Sequence, residues 1–460
     1  IKAITFGGAE RTYQSWYGLD KQQLIDNRRQ NPYTYENEVD DYNQNHYQLH
    51  WNEEISKNWS TNLGLNYTKG AGFFEQFKTE EDAERFNYII EDKSNVIVRR
   101  WLDNDFYVIN FNTSYQKNKL VVITGSSYSN YSGDHFGEAT QFSDPSLNAK
   151  FNNNWYRYYQ YLGNKNILTA FTRFIWSPSN QPFTVSFDLQ NQNINWDLDQ
   201  KKIGHALGYQ LSADWSFFNP RIGLVWQLSD SLSWFVNTGK AQKEPADNQI
   251  IAADDMFSAP VMAANEVITD LELGMNFTFN NGYAKFNGYR MLYLNEQLKN
   301  INLSQEGEYS YYSADSTSHS GFEYESRIFI DSKTILDING ALQMNVFNSG
   351  NFLPNTPSSI MNVSLRRNFS DNLLLYTNYR KIGGMYIDNI NAEDGYIGSY
   401  GILDLGANIS WKKVKVDLKI NNVFNRLYST YGYSFDYNGY NAFYWPGAER
   451  NTFINLSYSF

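Results

Sequence analysis

Val414-Lys415-Val416-Asp417-Leu418-Lys419-Ile420-Asn421 is the stretch that decides the fold. Every second residue is aliphatic, and every residue between is charged or an amide. A period of two belongs to an extended strand with one apolar and one polar face. The closing run from Arg450 to Phe460 repeats it. Thr452, Ile454, Leu456, Tyr458 and Phe460 share one face; Asn451, Asn455, Ser457 and Ser459 share the other, with Phe453 out of step.

The same alternation recurs upstream. Trp59, Thr61, Leu63, Leu65 and Tyr67 alternate with Ser60, Asn62, Gly64, Asn66 and Thr68. Tyr47, Leu49, Trp51 and Ile55 alternate with Gln48, His50, Asn52 and Glu54, and Glu53 breaks the apolar face. Val267, Leu271, Leu273, Met275, Phe277 and Phe279 alternate with Asp270, Glu272, Gly274, Asn276 and Thr278. About eighteen segments of roughly ten residues follow this pattern, the length a tilted strand needs to cross a bilayer.

A soluble sandwich also alternates, so two further features separate the cases. The polar faces carry charges and amides on strand after strand, as a wet or plugged lumen requires, while the apolar faces end in Tyr, Trp or Phe at girdle positions. The connections also sort by length. Short ones fall at Ser56-Lys57-Asn58, Lys117-Asn118, Ser229-Asp230-Ser231, Asn280-Asn281-Gly282, Asp331-Ser332-Lys333, Ser370-Asp371 and Lys412-Lys413. They alternate with long ones, of about fifteen to thirty-five residues, at 9–43, 70–102, 132–162 and 425–446. Short periplasmic turns and long extracellular loops are the asymmetry of outer-membrane barrels, and a sandwich has no reason to segregate them. The expected class is an all-β, antiparallel transmembrane barrel.

Composition fits once the barrel is assumed. Net charge −11 and a negative mean hydropathy would read as a soluble acidic protein. The 36 Tyr, 31 Phe and 12 Trp contradict that reading. There is no Cys, which excludes a disulfide scaffold and thiolate metal sites. No run approaches eighteen apolar residues, so no transmembrane helix is expected. The start, Ile1-Lys2-Ala3-Ile4-Thr5-Phe6, reads as mid-strand rather than as a signal peptide, and further chain upstream is expected. The terminal Tyr458-Ser459-Phe460 is similar to the C-terminal aromatic signal of outer-membrane barrels.

Two stretches resemble the TonB-dependent receptor family. One is Ile420-Asn421-Asn422-Val423-Phe424-Asn425-Arg426-Leu427-Tyr428, followed after a Tyr/Gly-rich loop by Pro446-Gly447-Ala448-Glu449-Arg450-Asn451-Thr452-Phe453. Val423 and Glu449 are mild departures from the family pattern. The other is Phe218-Asn219-Pro220-Arg221-Ile222-Gly223-Leu224 with Lys243-Glu244-Pro245 after the next hairpin. Richness in Asn and Tyr, turns such as Asn281-Gly282, and the loop Glu10 to Gly18 look like receptors of the Bacteroidetes. The resemblance implies 22 strands around a globular plug. Counting back about eighteen strands makes Ile1 to Gly8 roughly strand 5, leaving strands 1 to 4, the plug and the TonB-contacting box upstream. Residues 1–460 are then the C-terminal part of one barrel.

No enzyme constellation is found: there is no P-loop, no Gly-x-Ser-x-Gly elbow and no dinucleotide fingerprint. Of the five His, His46 and His50 have ligand-like spacing, but on a strand they lie about 13 Å apart. Glu80-Glu81-Asp82 and Asp254-Asp255 lack a calcium-loop pattern and read as solvated loop. Neither a cofactor nor a resident metal is expected. Trp155, Tyr156, Arg157 and Tyr158, continuing to Tyr161, have two readings: rings and a guanidinium stacking on a catecholate, heterocycle or sugar, or an aromatic girdle at the lipid boundary. Tyr13, Trp16, Tyr17, Arg28 and Arg29 in the first long loop either meet an anionic ferric chelate or pack that loop.

The resemblance implies energised import of a scarce ligand, with a ferric siderophore first and an oligosaccharide as the nearest rival. Its expected partners are the TonB complex through the plug, outer-membrane lipid and lipopolysaccharide, and a surface lipoprotein, with no nucleic acid. A passive porin and a scaffold barrel in a surface complex are the alternatives from other classes.

Overall fold

The computed structural model of the protein describes residues 1–86, 93–150, 156–256, 258–303, 309–436 and 439–459. Eighteen strands form a single sheet in which each pairs antiparallel with the next along the chain. The first nine are β1 (Lys2–Tyr13), β2 (Val39–Ser56), β3 (Trp59–Asp82), β4 (Lys93–Lys117), β5 (Leu120–Phe142), β6 (Tyr156–Trp176), β7 (Phe183–Ile203), β8 (Gln210–Ser229) and β9 (Leu232–Lys243). The rest are β10 (Glu266–Phe279), β11 (Gly282–Leu303), β12 (Tyr309–Asp331), β13 (Thr334–Phe347), β14 (Ser359–Ser370), β15 (Leu373–Ile382), β16 (Tyr400–Trp411), β17 (Val414–Asn421) and β18 (Asn451–Tyr458). Among the described residues, β1 and β18 have no partner on their outer edges.

Register carries each face around the wall. Leu336, Leu365, Thr377, Leu405, Ile420 and Thr452 pair in sequence across six strands and make one outward row. Lys285, Glu325, Asn339, Asn362 and Arg380 make an inward row. Val414, Val416 and Leu418 share the outward face, and Lys415, Asp417 and Lys419 face the lumen. There Lys419 Nζ lies 3.2 Å from Asp404, within a cavity of about 520 Å³ that Asn378 and Arg380 also line. Inward charges are matched along the wall: Arg173 with Asp188 at 2.6 Å, and both Arg327 and Arg366 with Asp337 at 2.6 Å. Partnering of this kind offsets the cost of taking ions from bulk water.

β2 to β8, β11 and β12 are longer than the roughly ten residues that the alternation suggests, whereas β15, β17 and β18 are not. β4 has 25 residues, about 80 Å of strand, more than twice what a bilayer crossing needs. The segments at 70–102 and 132–162 are therefore mostly strand, with β3 continuing to Asp82, β4 starting at Lys93, β5 continuing to Phe142 and β6 starting at Tyr156. In 425–446, a small hairpin of Ser429–Asp436 and Tyr440–Pro446 stands above the barrel. The cause is visible in β7, where the pattern inverts along the strand. In its lower part Phe187 and Leu189 face outward, while Asp188, Gln190 and Gln192 face the lumen. Higher up, Asn191, Asn193 and Asn195 face outward, and Ile194, Trp196 and Leu198 point inward, buried.

Above the lipid, inward apolar residues of β4 to β7 pack into a core that includes Phe86, Val96, Val98, Phe142, Tyr158, Trp196 and Leu198, closed by Ile250 and Ile251 of the 244–265 connection. Phe86 makes edge contacts with Phe142 at 5.4 Å and with Tyr158 at 4.8 Å. Beside this core Asp254 takes guanidinium hydrogen bonds from Arg85 at 2.6 Å and from Arg100. Burial opposes its ionisation, but the two guanidinium charges hold Asp254 well below the usual carboxylate range. Arg85 is shared with Glu81 at 2.8 Å. The acidic pairs expected as solvated loop are thus in part buried ion-pair members, because the strands that bear them run on into a packed extracellular tier.

Candidate ligand-binding site at the barrel mouth

Two connections meet over the mouth. The first, residues 14–38, carries helix α1 (Lys21–Asn27), started by a capping box in which Asp20 accepts from the Gln23 backbone and Gln23 accepts in return. The second is the 429–446 hairpin. Leu19 and Tyr444 exchange backbone hydrogen bonds, both 2.8 Å, and a Cβ on Gly18 would sit 2.8 Å from the Tyr444 nitrogen, so close approach requires glycine there. Lys21 pairs with Asp394 at 2.9 Å. Arg28 donates to the Tyr428 carbonyl at 2.8 Å, and Arg29 pairs with Glu449 at 2.5 Å.

The hairpin repeats the period of two on a smaller scale. Tyr431, Tyr433 and Phe435 fall on one face with Phe443 and Trp445. The opposite face, Gly432, Ser434, Ala442 and Tyr444, packs into the neighbouring loops, with Ser434 and Tyr444 buried. Tyr433 lies 5.3 Å from Phe443 and 5.0 Å from Trp445, ring centre to ring centre. Facing this wall across a cavity of about 550 Å³ stand Trp16, Tyr17, Tyr33 and Phe74. Trp16 meets Phe74 edge-on at 4.9 Å, and Tyr17 leans on Tyr33 at 5.0 Å. Three cations from separate strands complete the lining: Lys78 of β3, Arg100 of β4 and Lys299 of β11. Burial pushes the Tyr433 hydroxyl up to about 12, so it stays a neutral hydrogen-bond donor at physiological pH. Aromatic walls and cations in one lining suit a flat, anionic, ring-bearing ligand.

Of the residues singled out from sequence, Trp16 and Tyr17 line this cavity. Tyr13 braces the first connection by donating to the Tyr35 and Tyr33 carbonyls at 2.8 and 3.3 Å. Arg28 and Arg29 clamp the first connection to the last one and do not line the cavity. In the second group, Trp155 lies outside the described residues. Lys202 donates to the Tyr156 hydroxyl at 2.6 Å and sits over its ring, and Arg157 stacks on Phe136 at 3.6 Å. Tyr158 is 1% exposed within the extracellular core, which corrects both readings offered for it: it forms neither a lipid girdle nor a ligand surface. In the sequence the hairpin aromatics read only as the Tyr/Gly-rich run between two family-like stretches. Their spacing on alternate residues is the signal that puts them on one face.

Below the first connection, Glu38 and Glu75 form a buried carboxyl pair. Glu75 accepts from Tyr35 at 2.7 Å, from Asn37 and from Arg99. Burial would raise it, but these hydrogen bonds and the guanidinium hold it below its ordinary value. Among the described residues, Glu38 accepts only from the Phe77 nitrogen at 3.3 Å, and its other oxygen is buried without a partner. Burial, with the Glu75 charge adding, pushes Glu38 up to about 7. His46 stacks on Phe6 at 4.5 Å on the lumenal face, and His50 meets Gln48 at 3.3 Å. Among the described residues no three metal-ligating side chains cluster.

The model of the TonB dependent receptor-like β-barrel family matches residues 4–423, and the chain belongs to that family. Its place is the outer membrane, in a family of receptors and transporters rather than enzymes. Among solved structures it is similar to the ferric yersiniabactin uptake receptor FyuA from Yersinia pestis, with a TM-score of 0.77 at 15% identity, covering 100% of this chain and 67% of that one. The ferric-catecholate import receptor Fiu from Escherichia coli K12 gives 0.73 at 14%, covering 99% and 71%. The siderophore receptor PiuA from Acinetobacter baumannii gives 0.72 at 12%, covering 99% and 71%. At such identities the likeness carries the fold alone. No curated protein matches by sequence.

Proposed function

We propose that this chain is the main wall of an energised importer whose cargo is a ferric siderophore, captured between the 14–38 connection and the 429–446 hairpin. The observation that carries the reading is the mouth cavity, which nine aromatic side chains line together with Lys78, Arg100 and Lys299. A ferric chelate with anionic aromatic arms offers both rings and negative charge to such a lining. An oligosaccharide would use the aromatic faces, but it brings no negative charge to a lining that includes Lys78, Lys299 and the Asp254-bound Arg100. The two unpaired sheet edges support closure by further strands, since an open edge is untenable in lipid. On this reading four strands and a plug from elsewhere in the protein complete the barrel, and the TonB complex acts through that plug. A passive porin needs a clear lumen, and a scaffold has no use for an aromatic, cation-lined mouth.

Cells expressing the protein should bind a ferric catecholate whether or not the proton-motive force is intact. Accumulation should stop with an uncoupler or in a strain lacking TonB. Uptake that ignores both treatments would remove the import reading in favour of a channel. Lys78→Gln with Lys299→Gln should weaken chelate binding by roughly tenfold, as expected for losing desolvated cation contacts. If binding is unchanged, and an oligosaccharide binds instead, the cargo assignment is lost while import stands.

A further inference from the structure

β2 begins at Val39, whereas β3 runs on to Asp82. Their ladder ends with Asp40 against Phe74, so among the described residues the β3 edge beyond Phe74 has no strand beside it on that side. Two side chains from the base of the 14–38 connection stand in for the missing strand. Gln14 Nε2 donates to the Val39 carbonyl at 2.8 Å and to the Glu75 carbonyl at 3.4 Å, and the Phe77 N–H donates to Glu38. A backbone bond of 2.8 Å from Gln14 to the Glu38 carbonyl ties the two ends of the connection together here. Both side chains are buried, and each keeps one oxygen, Gln14 Oε1 and Glu38 Oε1, with no donor among the described residues. A neutral Glu38 carboxyl brings a donor to this edge; an ionised one adds only charge.

The same carboxyl sits against the mouth cavity. Phe74, Gln76 and Lys78 are the alternate β3 residues in the cavity lining, and the Phe77 hydrogen bond sets Glu38 one residue short of Lys78. β3 turns two charges on Glu38: Glu75, which opposes its ionisation, and Lys78, which favours it. Tyr33, also in the lining, faces it from the connection. Arg99 of β4 is paired with Glu75, and Asp40 of β2 feels Glu10 and Asp41 instead. Burial outweighs Lys78, and Glu38 titrates at about 7.

An anion bound beside Lys78 and an ionised Glu38 draw on the same cation and repel each other. We propose that capture of an anionic cargo at the mouth is linked to protonation of Glu38, so that the site takes its cargo together with a proton and holds it less tightly as the medium turns alkaline. The proposal rests on the cargo reading above and adds its regulation. A bound anion raises Glu38 further, so from about 7 upward the loaded protein holds more protons than the empty one. Affinity is therefore greatest below about 7 and falls above it, until the loaded protein has also lost the proton.

The test is binding of a ferric catecholate to the full-length protein at pH 6, 7 and 8.5, beside Glu38→Gln, whose neutral amide stands for the protonated acid. The ratio of the two affinities at each pH cancels any titration of the chelate itself. The two proteins should bind alike at pH 6, and wild type should be roughly fivefold the weaker at pH 8.5. Asp40→Asn should follow wild type at every pH. A ratio that does not change with pH would overturn the proposal while the cargo reading stands. So would a Glu38→Gln protein already weaker than wild type at pH 6. Binding by neither protein at any pH would sink the cargo reading and this inference with it.

Discussion

The same strands are built by opposite rules in their lower and upper halves. In the lipid band β7 presents Phe187 and Leu189 outward and Asp188, Gln190 and Gln192 inward. In the extracellular tier it presents Asn193 and Asn195 outward and buries Ile194, Trp196 and Leu198 inward. β4 does likewise: Ile109 and Phe111 face lipid below, while Val96 and Val98 are buried on the inner face above. The solvent changes, not the strand. Lipid outside and a polar lumen inside demand apolar-out; water outside and a packed tier inside demand the reverse. A two-residue period thus reports which medium touches a face only when one medium touches it throughout.

The sharpest way to break this comparison is to empty the tier. Phe86→Ala removes a fully buried ring from the cluster with Phe142 and Tyr158 and should cost about 3–5 kcal/mol. The loss should stay local: hydrogen exchange at the tops of β4, β5 and β6 rises to fraying rates, and the band keeps its protection. If the band loses protection at the same rate, tier and band are one cooperative unit and the division is wrong.

The next test exchanges one substitution between the two regions. Leu418 lies outward in the lower half of the wall, so Leu418→Arg should cost about 2–4 kcal/mol near the midplane. Asn193→Arg, also outward but in the tier, meets water and should fall within about 0.5 kcal/mol of neutral. Lys419→Arg keeps the lumenal charge opposite Asp404 and should be as mild. Refolding titrations into lipid vesicles measure all three. Similar costs for Leu418→Arg and Asn193→Arg would mean that lipid extends over the tier.

This inversion also explains what sequence made legible. The turn at Ser56-Lys57-Asn58 and the faces of Val414 to Ile420 were readable because lipid imposes one rule on every residue there. Segments 70–102 and 132–162 looked like loops because their alternation changes sense, and at Lys78/Glu81 and Ile97/Val98 it also skips a register. Trp16 and Tyr17 stood out as aromatics in a long connection. The partners that make them a site, Tyr433 and Trp445 more than 400 residues later and Lys299 from another strand, are brought there only by closure of the wall. Arg28 and Arg29 had the right chemistry for an anion, but Glu449 and the Tyr428 carbonyl already hold them.

The smallest effect is confined to one connection and shows only as a slope with pH. Glu38 is an acid whose folded value, about 7, lies above its ordinary 4.5. The folded loop therefore binds more protons than the unfolded loop between those values, and its stability falls as pH rises across that window. Below about 4.5 both forms are protonated and the loop is at its firmest; above about 7 the penalty of a buried, half-partnered charge is complete and the slope ends. Glu75 works in the opposite sense. Its hydrogen bonds from Tyr35 and Asn37 and its pairing with Arg99 hold it ionised, so it weakens the loop only in more acid solution. Glu38→Gln should keep the Phe77 hydrogen bond and remove the carboxylate, flattening protection of residues 14–38 between pH 5 and 7 relative to wild type at each pH. The band strands, away from Glu38, should show no difference between the two proteins. A variant that keeps the wild-type slope would place the titrating group elsewhere under the mouth, with Asp40, two residues on in β2 and also raised by burial, as the group to replace next.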